Sequence, residues 1–192
     1  MALPNPSQAF IALGSNLPLA RASALSTELL SPEQVIRAAI SELDQLAFSK
    51  LRRTSSIYRS PAWPPVVNGA PNTQADYANA VVEISTELAP HALLECLMNI
   101  EQSFGRQRPK HRQGGEQNAA RTLDLDLLIH GRLHMDTELL TLPHPRMQGR
   151  AFVLLPLSEI AADLHVPTPS GPMAIGDWLA ELSVGSRELG RF

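Results

Sequence analysis

The sequence predicts a mixed fold of β-strands and α-helices in a single domain of residues 1–192, and three stretches carry that expectation. Tyr77–Thr86 alternates, with Ala78, Ala80, Val82 and Ile84 on one face and Tyr77 and Asn79 on the other, as a half-buried strand does. Val35, Ile36, Ala39, Ile40 and Leu43 recur at helical spacing, and so do Leu93, Leu94, Leu97, Ile100 and Phe104. Thr122–Ile129 is mostly apolar, too short for a helix, and stops at the turn signal His130-Gly131.

Taken in order, Met1–Gln8 reads as a short disordered lead-in, and Ala9–Leu13 as a first strand ending at Gly14-Ser15-Asn16. Leu17–Leu30 has no clear pattern and is expected to be a long loop. Ser31-Pro32-Glu33 opens the first helix, with Ser as N-cap and Pro at the first position. Leu51–Arg59 is a second strand, followed by a proline-rich loop over Ser60–Asp76 that holds Trp63 and Asn68-Gly69. Pro90–Phe104 is the second helix, with Gly105 as its stop. A basic, glycine-containing loop then leads into Arg121, carrying Arg106, Arg108, Lys110 and Arg112. Arg150–Ile160 and Ile175–Leu182 read as two further helices.

Composition narrows the function. A net charge of −3 and a pI near 6.1 argue against general nucleic-acid or membrane-surface binding. Cys96 is the only cysteine, so no intrachain disulfide can form and a reducing compartment fits. With no leader pattern and no membrane-length apolar run, a cytoplasmic protein is expected. Glycine-rich phosphate loops, dinucleotide fingerprints, zinc-ligand spacings and nucleophile elbows are all missing from the sequence.

What remains is Asp124-Leu125-Asp126. On a strand these carboxylates share a face, and their repulsion is relieved by a cation. Oxygen ligands without nearby cysteine suit Mg²⁺, which takes one or two carboxylates and completes its shell with phosphates. Arg121 upstream, and the arginine cluster before it, can meet phosphate oxygens. Tyr77 and Asn79 together could stack on and hydrogen-bond a flat heterocycle. This combination suits phosphoryl transfer. A nucleotidyltransferase is the rival, because Gly14-Ser15 with Asp124-x-Asp126 echoes that class, although there the two motifs lie close in sequence. A non-catalytic module that binds such a flat heterocycle or a nucleotide is the second alternative.

Several stretches together resemble the 6-hydroxymethyl-7,8-dihydropterin pyrophosphokinase family. They are Ala12–Leu17, Ser55–Pro61, Asp76–Ala80, Ile100-Glu101 with Phe104–Arg108, Arg121–Asp126, Leu142–Met147 and Arg150–Leu154, in the family's order. The resemblance implies an α+β, ferredoxin-like fold, an antiparallel sheet flanked by helices, with three long active-site loops at Leu17–Leu30, Ser60–Asp76 and Gln107–Ala120. It also implies transfer of pyrophosphate from ATP to the pterin hydroxymethyl group, releasing AMP, in folate biosynthesis. By matching position Asp124 and Asp126 would hold two Mg²⁺ ions, and Arg106 and Arg121 would act with them in catalysis. Arg108, His144 and Arg150 would meet phosphates, with Glu101 near the nucleotide. Tyr77, Asn79 and Phe152 would hold the pterin, helped by the backbone of Ser60 and Pro61. A monomer acting on small molecules is expected. The chain departs from the family's pattern at Ala120, where the family generally has Pro. Some members also cover the pterin with a Trp in the third loop; here that region has Asn118, and Trp63 of the second loop is the alternative cover.

Overall fold

A computed structural model describes residues 5–22, 27–67, 69–106, 119–166, 171–182 and 190–191 of the chain. Among them, six strands form one sheet: β1 (Ser7–Ser15), β2 (Ser49–Thr54), β3 (Tyr58–Ser60), β4 (Tyr77–Thr86), β5 (Asp124–His130) and β6 (Gly190–Arg191). Four helices accompany it: α1 (Pro32–Asp44), α2 (Pro90–Ser103), α3 (Ala151–Ala161) and α4 (Ile175–Leu182). The sheet order is β6-β3-β4-β1-β5, with β2 also pairing β4, and every pairing is antiparallel.

Side-chain alternation divides the sheet into two faces. Ile11 and Leu13 of β1, the alanines, Val82 and Ile84 of β4, and Leu125 and Leu127 of β5 pack with Ile36 and Leu43 of α1 and Leu93 and Leu97 of α2. The opposite face presents Phe10 and Val81 to a second core, with Leu154 and Leu157 of α3 and Ile175 and Trp178 of α4. Ser31 starts α1 with a reciprocal capping box, its Oγ accepting from the Gln34 N–H while Gln34 Oε1 accepts from the Ser31 N–H. Gly105, at φ +79°, closes α2 as the sequence predicts.

Three expectations need correction. Ser7 and Gln8 belong to β1, where the Gln8 carbonyl accepts from the Gly131 N–H at 2.6 Å; the disordered lead-in therefore does not extend that far. The described part of the first loop is not irregular: Leu19–Ala22 pairs with Thr27–Leu30 as an antiparallel ribbon whose strands are too short for alternation to register. The strand expected over Leu51–Arg59 is interrupted after Thr54, because Ser55 exchanges hydrogen bonds with Val81 through both its backbone N–H and its Oγ. The proline-rich loop also contains a small ribbon, Val66–Val67 against Ala70–Pro71, turning at Gly69 with φ +79°.

Candidate active site

β1 runs between β4 and β5, and its Gly14 lies opposite Asn79 on one side and Asp124 on the other. A Cβ on Gly14 would meet Asn79 Oδ1 at 3.7 Å, Tyr77 Cδ1 at 3.8 Å and the Asp124 Cβ at 3.9 Å. One residue without a side chain thus forms the floor between an aromatic-amide wall and an acidic wall. On β5 the Asp pair faces away from the core that takes Leu125 and Leu127. Leu128 sits at a bulge, where the partners of Phe10 and Ile11 shift from Ile129 to Leu127. The Leu128 carbonyl accepts from the His144 N–H at 2.8 Å, and so places His144 beside the pair.

Guanidinium groups surround the acids. Asp124 is paired with Arg106 through Oδ1 and with Arg121 through Oδ2, the latter at 2.7 Å. Arg150 lies 3.7 Å from Asp126 and 5.6 Å from the centroid of the Phe152 ring. Burial pushes the Asp124 carboxyl up, but Arg121 and Arg106 outweigh it and hold it below the usual range. Burial and the neighbouring Asp124 push Asp126 the other way, against the partial relief of His144 and Arg150. The His144 imidazole is lowered by burial and by Arg150 and Arg146, despite the pull of Asp126. Burial raises the Tyr77 phenol, opposed by Arg121.

Glu101 is buried on α2, where its Oε1 accepts from the Leu125 N–H at 2.8 Å and pairs with Arg106. It ties α2, Arg106 and the acidic strand together. The heterocycle residues also converge. Ser60, Pro61, Trp63, Tyr77, Asn79 and Phe152 line a pocket of about 60 Å³ with Arg121, Asp124 and Arg150. Asn79 is fixed in it, its Nδ2 donating to Ser60 Oγ at 2.9 Å. Trp63 is half exposed at the mouth. A larger cavity of about 610 Å³ lies elsewhere and, of the expected site residues, is bordered by His144 alone. Arg108 lies outside the described residues, as does most of the third loop.

The sequence reading missed the role of Asn16, which is 2% exposed. Its Nδ2 donates to Gln74 Oε1 at 3.3 Å and to the Ala75 carbonyl at 3.2 Å, while its Oδ1 accepts from the Arg121 N–H at 2.8 Å. It thereby joins the roots of all three expected loops. The one signal was a Gly-Ser-Asn turn at a strand end, and such turns are common.

Among the described residues no group of three or more His, Cys, Asp and Glu is placed to hold a metal. A hard cation that uses two carboxylates and takes its other ligands from phosphate does not need a third. The raised Asp126 carboxyl beside Asp124 is a conflict that such a cation would relieve, so the donor set fits Mg²⁺. Both Asp124 oxygens engage guanidiniums here, so a cation would share or displace them.

An acidic pair ringed by arginines, next to a narrow aromatic-amide pocket, has the composition of an enzyme that moves phosphate groups onto a flat heterocyclic acceptor. A family profile described as 7,8-dihydro-6-hydroxymethylpterin-pyrophosphokinase (HPPK) matches residues 10–162. The chain belongs to this family. It is 43% identical over 159 residues to the 2-amino-4-hydroxy-6-hydroxymethyldihydropteridine pyrophosphokinase of Haemophilus influenzae, covering 83% of this chain and 84% of that one. The Bacillus subtilis protein of the same name is 40% identical over 157 residues, with 82% and 80% covered. The fold is similar to that of Plasmodium falciparum HPPK-DHPS, with a TM-score of 0.63 at 12% identity; the match covers 98% of this chain and 44% of the other. No helix among the described residues is long and apolar enough to cross a membrane.

Proposed function

We propose that the protein transfers the terminal pyrophosphate of ATP to the hydroxymethyl oxygen of 6-hydroxymethyl-7,8-dihydropterin, releasing AMP, as a step of folate biosynthesis. The observation that carries this reading is the junction at Gly14, where an aromatic-amide wall and an acidic wall meet without a side chain between them. The strand order, with α1 and α2 on one face of an antiparallel sheet, supports a ferredoxin-like assignment.

In this reading Tyr77 and Phe152 flank the pterin ring, and Asn79, oriented by Ser60, reads its polar edge. Pro61 and Ser60 supply the backbone rim. The hydroxymethyl oxygen then attacks the β-phosphorus and gives up its proton to solvent, the bond from that phosphorus to the oxygen bridging to the α-phosphate breaks, and AMP carries that oxygen and its electron pair away. Arg106 and Arg121, poised on Asp124, turn to the phosphate oxygens as negative charge shifts onto the leaving group. Arg150 and a neutral His144 donate to the same phosphates from the Asp126 side, and Arg108 extends the clamp from the third loop. Glu101 holds Arg106 and the acidic strand in register on the nucleotide side. Two Mg²⁺ ions held by Asp124 and Asp126 would supply charge neutralisation and bring the phosphates into line.

The test is incubation with ATP, Mg²⁺ and the hydroxymethyl pterin, scoring AMP with and without the pterin. Pterin-dependent AMP is expected. Release of pyrophosphate instead would point to nucleotidyl transfer, and binding without turnover would point to a non-catalytic module.

A further inference from the structure

Two walls of the pocket assigned to the pterin come from elements that are far apart in sequence. Ser60 and Pro61 come from β3 and its end, and Phe152 from the first turn of α3. At about 60 Å³ the pocket is well below the roughly 300 Å³ and more of an ordinary ligand site, so the spacing of these walls governs whether a bicyclic ring can enter. Beside the apolar packing of α3 on the sheet, a polar tie bears on that spacing. Glu159 of α3 accepts from the Ser56 Oγ at 2.8 Å through Oε1, and from the Ser56 N–H and the Tyr58 hydroxyl, both at 2.9 Å, through Oε2.

The geometry of the two elements makes this tie consequential. Phe152 and Glu159 are seven residues apart, about two helical turns, and so lie on one side of α3 roughly 10 Å from each other. Ser56–Ser60 runs beside the helix in the opposite sense, with Ser56 and Tyr58 at Glu159 and Ser60 at the pocket. Pro156 lies inside α3 and lacks the N–H that would bond the Phe152 carbonyl four residues back. The first turn of α3 therefore relies more than usual on contacts outside the helix. Tyr58 is also one of the strand residues behind Asn79, whose Nδ2 lies 3.5 Å from the Tyr58 carbonyl.

We infer that Glu159 is a positioning residue for pterin recognition: by gripping Ser56 and Tyr58 it sets the separation of the Phe152 wall from the Ser60-Pro61-Asn79 wall. The inference rests on the assignment of this pocket to the pterin. It makes no claim on the phosphate site, which Glu159 does not touch in any of its hydrogen bonds given above.

The experiment is steady-state kinetics on the full chain, varying pterin and ATP separately, for the wild type, Glu159→Ala, Tyr58→Phe and Phe152→Ala, with thermal melts of each. Glu159→Ala is expected to raise KM for the pterin about 10-fold while kcat and KM for ATP stay within about 2-fold, the signature of lost ground-state positioning. Tyr58→Phe should move the same constant less, since only one of the bonds to Glu159 is lost. If Phe152→Ala raises KM for the pterin and a folded Glu159→Ala does not, the tether is overturned and the pocket assignment stands. If Phe152→Ala leaves it unchanged, the pocket assignment itself falls. Equal rises in both KM values would overturn the inference by showing a merely structural role. Should Glu159→Ala fail to fold, Tyr58→Phe decides on the same criteria.

Discussion

Asn16 and Arg121, 105 residues apart in sequence, hold each other in both directions: the Arg121 N–H donates to Asn16 Oδ1 at 2.8 Å, and the Asn16 N–H donates to the Arg121 carbonyl at 3.1 Å. This clasp fixes the backbone from which the Arg121 guanidinium reaches Asp124. Asn16→Ala removes the side-chain half of the clasp and the bonds to the second loop, leaving a buried N–H without its acceptor. The expected cost is about 2 kcal/mol of stability and a roughly 10-fold lower kcat, read by urea unfolding and AMP formation.

Arg121→Ala leaves that backbone clasp in place and removes only the cation. It should raise the barrier by about 2–4 kcal/mol, comparable to the loss of a single preorganised donor elsewhere. Its effect should appear in kcat more than in the KM for the pterin. An unchanged kcat in a folded variant would remove Arg121 from the chemistry.

The two aspartates should behave oppositely when replaced by asparagine in the ligand-free protein. Asp124 is held below the usual range, so its charge contributes stability at neutral pH that is lost as pH falls through the depressed value. Asp126 is raised, so the fold favours its protonated form; that contribution is present in acid and is lost as pH rises through the raised value. Asp124→Asn should therefore lower the melting temperature at neutral pH, and Asp126→Asn should raise it. Each should cost at least about 10²-fold in kcat. Addition of Mg²⁺ should stabilise the wild type more at pH 8 than at pH 5, and should do little for Asp126→Asn, as differential scanning calorimetry can measure.

His144 supplies a third pH signature. Its folded pKa is depressed, so the unfolded chain takes up the proton first, starting near pH 6.5. Stability should be intact above that pH and decline as acidification proceeds through the depressed value. Replacement by Asn should flatten this part of the stability profile, measured by urea unfolding between pH 7.5 and 5.5.

Gly14 offers a test of the junction itself. Its backbone is not in the left-handed region and a Cβ would make ordinary contacts, so Gly14→Ala should fold and melt no lower than the wild type. The added methyl would nonetheless stand where the two substrates meet, and turnover should fall by about 10-fold or more. A variant as active as the wild type would place the reacting atoms elsewhere.

Much of the fold was legible because periodicity is a local signal. β4 and α4 match the sequence reading to the residue, since Tyr77–Thr86 keeps an apolar face at every second position from Ala78 to Ile84 and Ile175–Leu182 keeps one apolar side. The break at Ser55 was invisible because its cause is a hydrogen bond to Val81, 26 residues further along the chain, and local periodicity does not encode such a pairing. The ribbon over Leu19–Leu30 was missed because four-residue strands hold too few alternations to rise above noise. In the site, the Asp pair and its arginines stand out in sequence, but the residues behind them carry little local signal. Glu101 is placed at the site by the resemblance alone and gains its bond to the Leu125 N–H only when α2 packs on β5, and Asn16 gains its partners only when three distant loop roots converge.

The partition of the sheet into two faces has an evolutionary consequence. The layer of α1 and α2 meets β1, β4 and β5 through aliphatic side chains, apart from the buried Glu101, whereas the acids, Tyr77 and Asn79 look toward the side of α3. Volume-conserving changes in the first layer can accumulate with small energetic effect and no contact with substrate. The other side has no such freedom, because α3 carries core residues and a pocket wall in the same eleven residues. Relatives of this chain should therefore drift fastest where α1 covers the sheet and slowest along α3. A substitution that alters substrate preference should be sought on that helix rather than beneath the other two.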